Sequence, residues 1–345
     1  MAMDTTAADG SVEAVGGGPD ESKAAHIYAA GYAEHSLSKH VRWYDNALAR
    51  VNPATGAVAQ AAAYPGLFSQ LRTYSLAVNS LTLNSYALLG GFLPATSNFT
   101  VVVGYANTDV GVAFLNTAHE LLLALAVEPA SGVLVGVAVD TRPDAPPRLR
   151  IVTSAGDAPK FGTALEVELK AAPLPHGVAD PRGAAAVVAA PGNGTVAFGL
   201  VLSPDLYVYW AVDVTSAGNV TSRTLHVDER KAARELHPLW VVHVPKLETF
   251  VGYLARNGSS LPPTLAIVDP YTLEIQTPLS SPAIPLVPSM ACVGPESSTI
   301  HVLSKGVMFD LDAATGTEVA TTPINVGNFV FAAAVYAPAV GNGGN

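Results

Sequence analysis

Residues 121–169 read LLLALAVEPASGVLVGVAVDTRPDAPPRLRIVTSAGDAPKFGTALEVEL. Four apolar runs, Leu121–Val127, Val133–Asp140, Arg148–Thr153 and Gly162–Leu169, are separated by breaks dense in Gly, Pro, Ser and Asp. Each run is the length of a strand and too short for a membrane span. The breaks, Glu128–Gly132, Arg142–Pro147 and Ser154–Asp157, force turns, because Gly admits positive φ and Pro fixes φ while removing a donor. The segment therefore predicts four short strands in one antiparallel meander. Strands this continuously apolar are expected to be covered on both faces.

The same unit recurs outward in both directions. Residues 183–228 hold runs at Ala184–Ala190, Thr195–Leu202, Leu206–Val214 and Val220–Val227. Residues 238–280 hold Leu239–Val244, Thr249–Ala255, Thr264–Val268 and Leu273–Pro278, and residues 288–324 hold Ser289–Val293, Thr299–Leu303, Gly306–Leu311 and Thr317–Thr321. A weaker copy spans Arg72–Asn116. The period is about 50 residues, which marks a repeat architecture. Residues 24–62 supply only three strands, His26–Gly31, Ala47–Val51 and Ala57–Ala62, and Phe329–Ala337 supplies one. Three plus one completes a sixth unit if the last strand lies beside the first. The fold expected is an all-β, six-bladed β-propeller of four-stranded antiparallel blades, closed by the C-terminal strand joining the N-terminal blade. Seven blades, and a pair of β-sandwiches, are the alternatives. The expected organisation is an acidic disordered tail over 1–23, one propeller domain over 24–338, and a second tail over 339–345.

The strand–turn–strand segments Arg50-Val51-Asn52-Pro53-Ala54-Thr55-Gly56-Ala57-Val58, Ala266-Ile267-Val268-Asp269-Pro270-Tyr271-Thr272-Leu273 and Phe309-Asp310-Leu311-Asp312-Ala313-Ala314-Thr315-Gly316 resemble those of quinoprotein-like and YVTN-type β-propellers. The resemblance implies the fold and no particular chemistry, since these blades serve enzymes and binding proteins alike. The chain departs from several propeller classes. It has no Trp-Asp dipeptide of the WD-repeat kind, no kelch pattern, no sialidase Asp box, and no match to the Glu, Asn and Asp calcium set of gluconolactonase-like and paraoxonase-like hydrolases. A quinone-dependent dehydrogenase would want a vicinal cysteine pair, and Cys292 stands alone in the sequence.

Composition narrows the function classes. Only 13% of the 345 residues are charged, the formal net charge is −10, and no Lys/Arg block occurs, so a nucleic-acid footprint is missing. With one cysteine, neither an internal disulfide nor a cysteine-rich metal site can form. Cys292 sits within Met290-Ala291-Cys292-Val293 and reads as a small core residue. Residues 1–20 carry Asp4, Asp9, Glu13 and Asp20 and no apolar run, so they do not read as a signal peptide; secretion would need a leader already removed. Four glycosylation sequons, at Asn98, Asn193, Asn219 and Asn257, fall in or beside expected turns.

Gly-x-Ser-x-Gly, His-Glu-x-x-His, P-loop and EF-hand motifs are absent, and Ala118-His119-Glu120-Leu121 holds only half of a zincin motif. Polar residues concentrate instead in the connections expected on one face, around a channel mouth. These are Gln70-Leu71-Arg72, Asn116–Glu120, His176–Arg182 (with Asp180), Arg234–His237 (with Glu235) and Asn325–Asn328. A long loop expected in the first blade adds His35, His40, Arg42, Trp43, Tyr44 and Asp45. Polar groups converging on a concave mouth suit ligand recognition, although loops collect polar residues in any case. The candidate ligand-binding residues are Arg72, His119, Glu120, His176, Asp180, Arg182, Glu235, His237, Asn328, Trp43 and Tyr44. Two readings follow. One is a non-catalytic binding or scaffold propeller that engages a protein or glycan, with Trp43 and Tyr44 as interface anchors and no cofactor. The other is a metal-assisted hydrolase or lyase with a divalent metal on His119, His176 and His237.

Overall fold

The structure is a computed structural model that describes residues 25–337, apart from 39–40, 65–68, 80, 93–98, 107–109, 115–119, 141–144, 155–158, 171–185, 193, 204–205, 230–235, 257–260, 281, 283, 285–289, 305 and 326–328. At 32–38, 41–46, 60–64, 69–74, 90–92, 99–106, 110–114, 186–192, 203, 236–237 and 329–331 it describes the backbone without the side chains. The tails proposed for 1–23 and 339–345 lie outside the described residues.

The described strands form six four-stranded antiparallel sheets in a propeller arrangement. Sheet 1 runs β24 (Phe329–Ala337), β1 (His26–Ser38), β2 (Val41–Val51), β3 (Val58–Tyr64). Sheet 2 is β4 (Ser69–Val78), β5 (Ser85–Phe92), β6 (Phe99–Ala106), β7 (Val110–Phe114). Sheet 3 is β8 (Glu120–Val127), β9 (Leu134–Asp140), β10 (Arg148–Ser154), β11 (Gly162–Glu168). Sheet 4 is β12 (Ala186–Gly192), β13 (Thr195–Ser203), β14 (Leu206–Val214), β15 (Val220–Glu229). Sheet 5 is β16 (Leu236–Val244), β17 (Thr249–Arg256), β18 (Thr264–Val268), β19 (Ile275–Pro278). Sheet 6 is β20 (Met290–Val293), β21 (Thr299–Ser304), β22 (Val307–Asp312), β23 (Glu318–Pro323). The first strand of each sheet packs on the first strand of the next, in the order β24, β4, β8, β12, β16, β20 and back to β24.

The C-terminal strand pairs with the N-terminal one, as the three-plus-one count expects. β24 runs antiparallel to β1 from His26↔Ala337 to Ala33↔Phe329, with one register shift between Ala30 and Gly31. Face-to-face packing explains the apolar runs. Every residue of β9 is buried, and so are all but one of β14, whereas the outermost strands β11, β19 and β23 are largely exposed. The buried side chains form clusters that join sheets 1 and 2, sheets 2, 3 and 4, sheets 4 and 5, sheets 5 and 6, and sheets 6 and 1.

One end of the sheets is closed by tight, self-satisfied turns. In the β2–β3 turn Asn52 Oδ1 accepts from Ala54 N at 2.9 Å, and Gly56 N donates to Asn52 O at 2.8 Å. Asp269 and Asp312 do the same in the β18–β19 and β22–β23 turns. The structure adds two members outside the third-to-fourth-strand position: Asn79 after β4 and Glu128 after β8. A short side-chain acceptor two residues ahead of the turn's amides replaces a strand partner, which is why these residue types sit there. The opposite end carries the connections into each first strand and between second and third strands, because antiparallel order returns the chain to the same end at both.

One expectation is corrected. The long loop proposed for the first sheet is a hairpin. β1 and β2 stay paired through Glu34↔Tyr44, His35↔Trp43, Ser36↔Arg42 and Ser38↔Val41. Tyr32, Val41, Trp43 and Tyr44 are strong strand formers and continue the ladder past the sheet.

Candidate binding face

The open end of the sheets gathers the residues proposed from sequence, and the structure reassigns several of them to strands. Arg72 lies inside β4 opposite Gly90, rather than in a connection, because register shifts between Ser69 and Arg72 and between Thr73 and Ser75 let the strand start early. His237 is the second residue of β16, opposite Ala255, where a similar shift between Pro238 and Trp240 accommodates the proline. Glu120 is the first residue of β8, opposite Asp140. Trp43 and Tyr44 belong to β2. His119, His176, Asp180, Arg182, Glu235 and Asn328 lie outside the described residues, as do the sequons at Asn98, Asn193 and Asn257. Asn219 is exposed in the β14–β15 turn, where Thr215 N donates to its carbonyl at 2.9 Å.

The hairpin is the most prominent feature of this end. β24 pairs with β1 only as far as Ala33, and β3 pairs with β2 only from Asn46 onward. Among the described residues, Glu34–Ser38 and Val41–Asp45 therefore pair only with each other. The result is a two-stranded ribbon projecting from sheet 1. Strand alternation puts Trp43 and His35 on one face of it, and Tyr44 and Glu34 on the other.

The side chains described at this end lie on sheet 3 and form an ion-pair ladder. Arg150 Nε donates to Glu166 Oε2 at 2.7 Å, and Arg150 Nη1 lies 3.3 Å from Glu120 Oε2. Arg150 thereby links the innermost strand to the outermost, and its partner on the intervening strand is the small Ala138. Arg148 contacts Glu166 at 3.4 Å and Glu168 at 3.0 Å. The hydrogen bond from Glu166, outweighing the cost of burial, and the Glu120 carboxylate hold the Arg150 guanidinium still more firmly protonated. Glu120 is thus a rim residue already engaged. Sequence reasoning missed Arg148, Arg150, Glu166 and Glu168, although their alternation on two adjoining strands, Arg-x-Arg and Glu-x-Glu, is legible in the chain.

Chemistry away from this end is mostly structural. Cys292 is buried, and its thiol is pushed far up by desolvation and by the Asp310 carboxylate, so it stays protonated and inert in the closed structure. His243 stacks near Phe250 with ring centroids 4.8 Å apart, and burial lowers its pKa and keeps it neutral. Among the described residues no three His, Cys, Asp or Glu side chains come together as a metal site, and His119 and His176 are not among them. No helix among those residues is long and apolar enough to cross a membrane.

No protein-family model matches the chain, and no curated protein resembles it in sequence. Solved structures match it at low identity. A protein provisionally named a 6-phosphogluconolactonase, from Bacteroides fragilis, is 13% identical over 92% of this chain and 99% of its own, with a TM-score of 0.46. The periplasmic gluconolactonase PpgL of Pseudomonas aeruginosa is 8% identical over 91% of this chain and 99% of its own, also at 0.46. Apo AztD of Citrobacter koseri is 11% identical over 90% and 98%, at 0.39.

Proposed function

We propose that this chain is a six-bladed, non-catalytic binding propeller that takes a protein or glycan partner on its open end. The six-blade count rests on the six sheets and on the closed order of their innermost strands. The observation that carries the functional reading is the projecting β1–β2 ribbon. A two-stranded ribbon beyond its sheet adds little to the stability of the ring. It nonetheless carries Trp43 and Tyr44, residues that give large contact area for little lost conformational freedom. The Arg148, Arg150, Glu120, Glu166 and Glu168 ladder supplies a charged rim at the same end, where it favours partner choice over raw affinity.

The test is a glycan array and a panel of immobilised extracellular proteins, probed with the wild type and with a Trp43→Ala/Tyr44→Ala double variant of unchanged melting temperature. Ligands bound by the wild type should lose affinity by about tenfold or more in the variant. Equal binding by both proteins overturns the reading.

A second reading is a metal-assisted hydrolase or lyase. It is favoured by the position of His119 immediately before β8, of His176 before β12 and of His237 at the start of β16, three consecutive innermost strands. Elemental analysis of the purified chain should then find one equivalent of divalent metal, lost on His237→Ala. Metal-free protein after supplementation dismisses it.

A further inference from the structure

A row of three polar side chains crosses sheet 6. Cys292 on β20 pairs in register with His301 on β21, and His301 pairs with Asp310 on β22. The His301 Nδ1 and Asp310 Oδ1 atoms are 2.7 Å apart in a site where the two side chains are only 11% and 18% exposed. The imidazole then stacks on Tyr336 of β24, with centroids 5.7 Å apart and planes within 6°. Gly294 lies under the same Tyr336 ring, so close that a Cβ there would sit 3.0 Å from it. Tyr336 belongs to the strand that closes the ring, so this row sits on the seam between the end of the sheet order and its beginning.

That seam has little else. Its buried cluster is Ile27, Ala29, Val51, Cys292, Leu303, Met308 and Ile324. On its other side sheet 1 meets sheet 2 largely through Ala30, Ala87, Ala333 and Ala337. Alanine methyls remove little area from water, so the closing strand relies more on its backbone ladder and on the polar row than other strands do. Local opening follows the thinnest packing.

We infer that His301, Asp310 and Tyr336 form a clasp that keeps the closing seam shut over Cys292, and that this seam opens locally, before the ring unfolds, to release a reactive thiol. In the open state the Cys292 thiol loses its proton to water and the thiolate attacks an aromatic disulfide such as dithionitrobenzoate. A Cys292–aryl mixed disulfide forms, the reagent's S–S bond breaks, and thionitrobenzoate leaves as the coloured product. Because Cys292 is the one cysteine of the sequence, the released colour reports this seam alone.

The experiment follows that labelling in native buffer and in rising urea below the unfolding transition. The wild type should label slowly, at a rate insensitive to low urea, as expected for opening that exposes little surface. His301→Ala and Asp310→Asn should each raise that rate about tenfold or more. His301→Gln, whose amide can still donate to Asp310, should fall between them and the wild type. Tyr207→Phe is the control: it removes the 2.8 Å bond to Pro270 O between sheets 4 and 5, far from the clasp. It should change the global midpoint and leave the native-buffer labelling rate alone. Labelling that tracks global unfolding at every urea concentration, with Tyr207→Phe and His301→Gln equally effective per unit of lost stability, overturns the clasp. If His301→Ala does not fold, the His301→Gln and Tyr207→Phe pair decides the matter.

Discussion

The seams around sheet 1 and the core shared by sheets 2 to 4 bury their residues by different means. The shared core packs Leu121 to Ala126, Phe198, Val208 and Trp210 into one continuous apolar block, with Trp210 fully buried and its Nε1 donating to Ser222 Oγ at 3.1 Å. Sheet 1 contributes Ala29, Ala30, Ala333 and Ala337, flanked by the His301–Asp310 pair on one side. The block is held by area removed from water. The closing sheet is held by a non-local ladder, by close backbone approach and by one polar row. A ring can be tight everywhere on its circumference and still have a preferred place to open.

The comparison breaks most visibly at Trp210. Trp210→Ala should cost about 3–5 kcal/mol and lower every spectroscopic probe together in a urea titration, because its cavity lies in the cluster that joins three sheets. If sheet 1 signals moved separately, the block would not be the cooperative unit.

Gly56 tests the other region. Its φ is +69°, and a Cβ there would meet Pro323 O of the neighbouring sheet 6 at 2.5 Å. Gly56→Ala should cost about 2–4 kcal/mol, from the left-handed backbone plus the forced separation of sheets 1 and 6. It should also accelerate Cys292 labelling, a readout that a purely local turn defect would not move.

Glu128 sharpens the contrast from within the block. Desolvation raises its pKa, but hydrogen bonds from Ser131 Oγ and from the Ala130, Gly194 and Ser131 amides outweigh it and hold the carboxyl below its ordinary 4.5. The bond to Gly194 N, at 2.8 Å, crosses from sheet 3 to sheet 4. A carboxyl lowered on folding gives stability that is complete above the unfolded value and is lost as pH falls through the folded one. Glu128→Gln should therefore cost about 1.5–3 kcal/mol at neutral pH, and the gap to the wild type should narrow below about pH 4.5 in acid-melting curves.

The smallest effect is expected at Gly218, whose φ is +79° but whose Cβ would meet nothing within 4 Å. Gly218→Ala should cost only about 1–2 kcal/mol, the backbone part alone. A loss as large as that of Gly56→Ala would mean that the backbone, and not the seam, accounts for both.

Several features were legible before any coordinates. The four runs of 121–169 became β8 to β11 with boundaries shifted by a residue or so, since Gly and Pro end strands for local reasons that survive folding. Phe329–Ala337 beside His26–Ala33 followed from counting strands in each unit. The hairpin at 32–46 was read as a loop because its charged and histidine residues masked a strand ladder that needs no buried face. The clasp was invisible for a different reason: Cys292, His301 and Asp310 are nine residues apart in sequence, and only the register of two hairpins brings them into line.

Local chemistry, then, determined where strands begin and end, how many each repeat holds, and that the chain must borrow its last strand to complete its first sheet. These depend on φ preference and on apolar period, which act over a few residues. Which residues face each other across a sheet or between sheets was decided only by the assembled tertiary structure. A one-residue register shift, such as those at Ala30/Gly31 and Pro238/Trp240, turns a side chain from one seam to the other without altering the composition that a sequence displays.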